Sequence, residues 1–525
     1  MNKPILPAGR LVAGKHLVIA NAPDGISGMV AADLARSFAA RAKATSKHVL
    51  VVCRDAERMA AFERALCFFA PDLPLLTFPA WDCLPYDRVS PNAAVSARRM
   101  ATLAALSQEE NGAGIVLATV NALLQRVPAR ELVAEQSLQL KPGNVRAMSE
   151  IVRWLEVNGF SRASTVRDVG EYAVRGGILD LYAPGTAAPM RLDFFGDAIE
   201  TIKSFDPETQ RSSAALAALH LVPLSEVQLT DETIKRFRVN YTAAFGGQTK
   251  DDALFDAVSE GRRHPGLEHW LPLFSEKLES LFDYVAGAPV ILEPLIEEAA
   301  HERLSQINDY YFARKEALDA GQGPLYKPLK PDRLYLTEEE WRKRLDDAAL
   351  MRLQPFNVPE APNVIDAGGK IGRSFAPERA DENANLFNAV ADHVQTLARA
   401  KKRAVFAFWS EGSRDRMQHV LSDHGLRDLR PVSNWSDVLA MPLGAAGLAV
   451  FGLDTGFESE NAAFLSEQDI LGDRFTRPHR RRQRAEDFIA EVTSLDAGDI
   501  VVHVDHGIGR FMGLKAIEAL GASHD

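Results

Sequence analysis

The sequence predicts a multi-domain α/β chain, and three patterns predict it. Short apolar runs alternate with amphipathic helices at the start, a period-two strand–turn–strand pattern occupies 175–205, and a second strand–helix alternation follows a Pro/Gly-rich stretch. With 525 residues, 46% hydrophobic and 25% charged, the chain can bury several separate cores.

The elements follow in order. His16–Ala20 (HLVIA) is a buried strand, 21–28 a turn-rich segment, and 30–44 a helix. His48–Cys53 (HVLVVC) is a second buried strand, Ala56–Phe69 a helix, and 115–120 continues the pattern, which suggests a parallel sheet over 1–135. The texture changes near 136, where the hairpin signal around Pro184-Gly185 marks a mixed α/β domain over 136–223. From about 230 to 350 the chain reads as mainly helical, with amphipathic stretches at 233–245 and 275–284, within a helical or α/β domain over 224–353, and 354–383 reads as a linker. A helix over 385–399 and strands at 404–408 and 448–451 define a second small α/β unit, 384–465. A basic run, 478–484, lies in a further linker and short helix at 466–494, and 495–525 is β-rich.

Composition narrows the function. A net charge of −11 lacks the basic footprint of a dedicated nucleic-acid binder and favours protein partners. Three cysteines, without zinc spacing, build no disulfide framework, and no signal peptide or long apolar run is apparent, so a cytoplasmic location is expected. A phosphate-binding loop needs G-x-x-x-x-G-K-[ST], whose backbone amides and Lys cradle the phosphates while the hydroxyl holds Mg²⁺. The turn after the first strand keeps Asn21, Gly25 and Gly28 but has Met29 where Lys belongs, and Asp24 would repel a triphosphate. Two further glycine patterns, 9–16 and 364–371, lack the hydroxyl, and the second also lacks its first glycine. His503 and His506 fall on a strand-like run that points them to opposite faces, and read as structural. Asp251-Asp252 and Asp346-Asp347 read as solvated helix faces. No catalytic residue, metal or cofactor is expected in this chain, and it is not read as an enzyme.

Several segments carry a family resemblance. Phe78-Pro-Ala-Trp-Asp-Cys-Leu-Pro-Tyr86, running on through Ser90-Pro91 to 97–103, is the first. Gly170-Glu-Tyr-Ala-Val-Arg-Gly-Gly-Ile-Leu-Asp-Leu-Tyr182, with 191–195 and 205–212, is the second. Leu267-Glu-His-Trp-Leu-Pro-Leu-Phe274 with 281–284 is the third, and 466–474 leading into 498–514 is the fourth. Together they resemble the bacterial transcription-repair coupling factors from about residue 15 onwards, in the family's order, and the first two are similar to segments of the excision-repair protein UvrB. The stretch 86–96 is too short for the DNA-clamping hairpin of UvrB, so that role is not carried over.

The resemblance implies a vestigial UvrB/RecA-like parallel-sheet domain (1–135), an inserted UvrA-binding domain (136–223), and a 224–353 domain packing back on the first. A small α/β domain and a partial β-barrel of an RNA-polymerase-interacting domain (495–525) would follow. It further implies an adaptor that recruits UvrA to stalled RNA polymerase for nucleotide excision repair. ATP, Mg²⁺ and most DNA contact would belong to the family's translocase domains, which the sequence lacks, as it lacks the C-terminal domain that masks the UvrA-binding surface. That surface is therefore expected to stand open, and 500–525 to be poorly ordered or paired non-natively.

Period two puts Arg191, Asp193 and Phe195 on one strand face and Leu192 and Phe194 on the other. Arg and aromatic residues are the types enriched at interface hot spots. The opposing reading, equally open from the residues alone, pairs Arg191 with Asp193 or Asp180 and packs Phe195 into a neighbouring domain. In the family the residues matching Arg175, Arg191 and Phe195 contact UvrA, and Ile517 sits where an apolar residue meets the polymerase β subunit. The rival functions are a UvrB-like DNA-dependent ATPase or helicase, against which the missing Lys argues, and a structural remnant with no partner.

Overall fold

A computed structural model describes residues 12–39, 47–108, 113–247, 252–321 and 325–472, together with the backbone of four short strands between 500 and 524. Its chain is mixed α/β, with several sheets.

The first sheet has seven strands, all parallel: Val364–Asp366, His16–Ala20, Leu350–Leu353, Val290–Leu292, His48–Cys53, Gly114–Thr119 and Leu75–Phe78, in that spatial order. The third and fourth strands in that order therefore come from 224–353, most of which reads as helical. VIL and LMRL are short apolar runs, and periodicity cannot separate these from buried helix. The stretch 354–383, read as a linker, instead supplies an edge strand here. It also supplies Lys370–Ile371, which pairs with Phe457–Glu458 in the second α/β unit.

Helix α1 spans Ile26–Ala39 and starts four residues before the expected 30, so Gly28 lies inside it. A Cβ at Gly28 would stand 2.8 Å from the Cβ of Ala65 on α2 (Ala56–Phe69), so this glycine serves helix–helix approach. Asp55 caps α2 by accepting a bond from the Arg58 amide at 2.8 Å.

The stretch 138–226 forms its own six-stranded sheet, ordered Ser212–Ala215, Ala198–Phe205, Met190–Phe195, Ile178–Leu181, Glu171–Arg175, Ser161–Arg162. Its inner face is closed by the helix Met148–Val157, whose Ile151 and Leu155 pack with Tyr172, Leu179, Leu192 and Ile202. Leu138–Leu140 pairs with Leu219–Leu221, so the segment leaves the fold where it entered.

The second α/β unit has the sheet order Lys370–Ile371, Phe457–Glu458, Ala462–Ser466, Arg403–Phe408, Ala446–Val450, Leu429–Val432. Its helix Leu386–Arg399 is capped by Asn385. An aromatic seam joins it to α2: Phe68 stacks on Phe451 at 5.0 Å, and Phe69 meets Trp435 edge-on at 5.6 Å.

The 267–274 motif is core, and so are Phe78, Trp81 and Tyr86 of the 78–86 motif, whereas Leu84 is exposed. Arg99 on α3 (Ala93–Ser107) is fully buried and donates to Glu226 at 2.5 and 3.3 Å and to the Pro79 carbonyl at 2.9 Å. Its guanidinium lies 4.2 Å from the Phe78 ring centroid, and the Trp81 indole donates to the same Glu226 at 3.0 Å. The 3-10 helix Leu267–Leu273 is buried throughout. Asp252 departs from the solvated-face reading: it caps the helix Ala253–Ser259, accepts from the Tyr241 hydroxyl at 2.5 Å and pairs with Lys327 at 3.0 Å.

His269 within that 3-10 helix has no hydrogen-bond partner at either ring nitrogen among the described residues and stands edge-on to Trp81. Burial pushes its pKa down from 6.5 to about 4. The unfolded chain therefore binds this proton first, and the neutral histidine's contribution is complete above pH 6.5 and lost as pH falls to about 4. We expect the unsubstituted chain to lose about 3 kcal/mol more than His269→Leu over that window. Parallel urea titrations at several pH values would read the difference, and equal losses would mean that the imidazole is solvated.

Leu471–Asp525 forms a separate unit. Its described strands pair as two antiparallel hairpins, Ile500–His503 with Gly507–Arg510 and Ile517–Ala519 with Ala522–His524. These sheets are not joined into a closed barrel among the described residues. The basic run 478–484 and His506 lie outside the described residues, as does most of what the expectation for 500–525 concerns. Among the described residues no helix is long and apolar enough to cross a membrane, and no group of three His, Cys, Asp or Glu could hold a metal.

Candidate protein-interaction surface

Arg175, Arg191 and Phe195 lie in the 138–226 sheet, Arg175 and Phe195 at the ends of two tight hairpins. Arg175 pairs with Ile178 across Gly176-Gly177, and Phe195 pairs with Ala198 across Gly196-Asp197. Gly176 and Gly196 both sit at φ 59, a left-handed conformation that a two-residue hairpin turn demands and glycine adopts without steric cost. The Phe194 amide donates to the Gly177 carbonyl at 2.8 Å, which holds the two turns at the same end of the sheet.

Arg191 is braced within its own sheet. It faces Asp180 across the ladder and makes a two-pronged ion pair at 2.7 and 2.9 Å. It also donates to the Gln210 carbonyl at 3.3 Å and to Ser212 Oγ at 3.2 Å, over the Phe205 ring at 4.8 Å. The Asp180 bond raises the Arg191 pKa and keeps the guanidinium charged. Asp193 accepts from Thr201 at 2.5 Å and from Lys203 at 3.3 Å, bonds that hold its carboxyl below the usual range against the opposing effect of burial. Arg175 is exposed and donates to the Ser164 carbonyl at 2.7 Å and to Thr165 at 2.9 Å.

Phe195 behaves differently. It is 77% exposed, whereas Leu192 is buried and Phe194 packs on the inner core. The register slips between Asp193 and Phe194 because Glu200 is an extra residue on the partner strand, and the outward alternation of Arg191, Asp193 and Phe195 survives. The face thus offers an exposed aromatic beside a rigid, charge-paired lattice. That arrangement suits recognition of a protein surface.

Sequence reasoning missed Val145, which is 79% exposed and forms an isolated bridge to Ala198 from the other side. It follows Lys141-Pro-Gly-Asn144, a turn signal that hides a strand-like residue. Ile517 lies on a terminal hairpin strand, and its side chain is outside the described residues.

The remnant turn after the first strand is filled by the protein itself. Asp24 accepts two bonds from Arg58, at 2.6 and 2.7 Å, and Arg58 also binds Glu293 at 2.7 Å. Burial raises the pKa of Glu293, and Arg58 opposes that rise. Gly25 is at φ 87, and a Cβ there would fall 2.1 Å from the Phe457 ring. Asn21 is tied to Asp366 at 2.9 Å, and its carbonyl to the Gly369 amide at 3.0 Å. A triphosphate at this turn would have to displace an aromatic ring and sit beside two carboxylates, so the residues present do not fit one.

Comparison with known proteins agrees with the geometry. Residues 138–226 match the UvrB interaction domain, and residues 495–525 the CarD-like/TRCF RID domain. The chain thus contains a UvrB interaction domain. The chain is 28% identical to the transcription-repair-coupling factor of Rickettsia bellii over 480 residues, 91% of this chain and 41% of that protein. It is 28% identical to the protein of that name in Escherichia coli over 464 residues, covering 86% and 38%, and 22% identical to the one in Bacillus subtilis over 510, covering 93% and 41%. The two domain matches and these relatives make the chain similar to the transcription-repair coupling factors, and it spans about two fifths of the length of the curated relatives it matches.

Proposed function

We propose that this chain is a cytoplasmic adaptor that recruits UvrA through the outward face of its 138–226 sheet. On this reading UvrA is brought to stalled RNA polymerase, whose β subunit meets the 495–525 module at Ile517, and nucleotide excision repair follows. Arg175 and Phe195 present the contact, and Arg191 holds the strand pair beneath it. The observation that carries the reading is Phe195, an exposed aromatic on the rigid end of a sheet that matches an interaction domain. ATP and Mg²⁺ belong, on the same reading, to the translocase portion of the relatives and not to the turn at Asn21–Gly28, where Asp24, Glu293 and Phe457 stand in the way.

Calorimetric titration of this chain into purified UvrA tests the reading. Saturable binding is the expected result, and no binding would give the lead to a structural remnant without a partner. A parallel titration with ATP is expected to show no saturation in the millimolar range. Saturation there, lost on substitution of Gly25, would revive the ATPase reading.

A further inference from the structure

The two most exposed of the large apolar side chains on the described surface, Val145 at 79% and Phe195 at 77%, adjoin each other. Both pair with Ala198, Phe195 within the hairpin and Val145 across the bridge on the far side. Residues paired across an antiparallel ladder project to the same side, so Val145, Ala198 and Phe195 form one outward apolar row. Backbone bonds fix the row: the Arg146 amide donates to the Asp197 carbonyl at 2.7 Å, and the Ile199 amide to the Asn144 carbonyl at 3.0 Å. No described part of the chain covers the turns around it. A Cβ added at Gly143, Gly176 or Gly196 would meet nothing within 4 Å. Hydrophobic residues scattered singly need no explanation, but two large ones side by side on a rigid sheet end mark a contact surface.

We infer that Val145 belongs to the docking surface proposed above, so that UvrA covers a three-residue apolar row, Val145–Ala198–Phe195, instead of Phe195 alone. The inference rests on that reading and adds a chemical demand. The partner must present an apolar patch wide enough to span three neighbouring strands. Arg175 is exposed at the end of the neighbouring hairpin. The rim facing it should therefore be polar or acidic.

The test measures UvrA binding by the full chain carrying Val145→Asp, with Phe195→Ala and Val239→Asp alongside. Val239 is also a largely exposed apolar residue, 63% exposed on the helix Asp231–Phe245 outside the row, and controls for added charge. Val145→Asp should weaken binding at least about tenfold while Val239→Asp leaves it unchanged. Because Val145 is so exposed, the thermal midpoint should not move. If Phe195→Ala loses binding and Val145→Asp does not, the row ends at Phe195 and the inference fails while the adaptor reading stands. If neither substitution changes binding, both fail. A conservative Val145→Ile should bind as the unsubstituted chain does, and weakening there with a lowered midpoint would show a folding defect and overturn the contact role.

Discussion

Arg99→Ala should destabilise the chain by about 3–5 kcal/mol, the cost of leaving a buried carboxylate without its counter-charge. The Glu226 side chain is only 2% exposed, and Arg99 supplies its charge. What would remain is one bond from the Trp81 indole, which cannot neutralise it. The same substitution removes the cation over the Phe78 ring and frees the Pro79 carbonyl. Its effect should also be spatially selective. Glu226 ends the segment matching the UvrB interaction domain, and Arg99 comes from the helix after the 78–86 motif, so the pair fastens that domain to the first sheet. Urea unfolding would read the loss, and limited proteolysis should show cleavage near 222–230 first. A buried pair replaced at both ends by apolar residues of similar volume is often neutral, so Arg99→Met/Glu226→Met should recover most of the stability that Arg99→Met alone loses. A drop under about 1 kcal/mol for Arg99→Ala would mean that water reaches the carboxylate.

How legible each element was follows from its local physics. His16–Ala20, His48–Cys53 and Ala56–Phe69 match their expected bounds, because five- and six-residue apolar runs and a capped amphipathic helix carry their signal within themselves. Val290–Leu292 does not: three residues make no period, and its neighbours His48–Cys53 and Leu350–Leu353 are remote in sequence. Leu350–Leu353 follows a charged helix ending in Asp346 and Asp347 and is itself only four residues long, too short to carry a period of its own. The outward alternation of Arg191 and Phe195 was readable from period two, and the pairing with Asp180 stood among the open options. The Phe205 ring beneath Arg191 was not readable, since it depends on a register that the extra residue Glu200 alters. Gly28 looked like a phosphate-loop glycine because the sequence shows spacing and conceals that α1 begins at Ile26.

Phe195→Ala should weaken UvrA binding by about 2 kcal/mol, roughly thirtyfold, and leave folding intact. The ring is 77% exposed in the free chain, so truncating it removes little buried area and should leave the thermal midpoint where it was. On docking, the same ring is where most apolar area would leave water, and its position at a braced hairpin end means that little ordering entropy opposes the contact. Arg191→Ala is a poorer probe, although it lies on the same face. Its guanidinium neutralises Asp180, whose side chain is 2% exposed, so the substitution adds a folding penalty of about 1–3 kcal/mol and mixes lost structure with lost contact. Arg175→Ala lies between the two, because its partners are the Ser164 carbonyl and Thr165 instead of a buried carboxylate. The expected order of affinity loss at equal fold is therefore Phe195 ahead of Arg175, with Arg191 interpretable only after its midpoint is matched. Calorimetry with circular dichroism on each variant separates these contributions. Undiminished binding by Phe195→Ala would move the docking site off this face of the sheet altogether, because no other outward side chain here carries comparable exposed aromatic area.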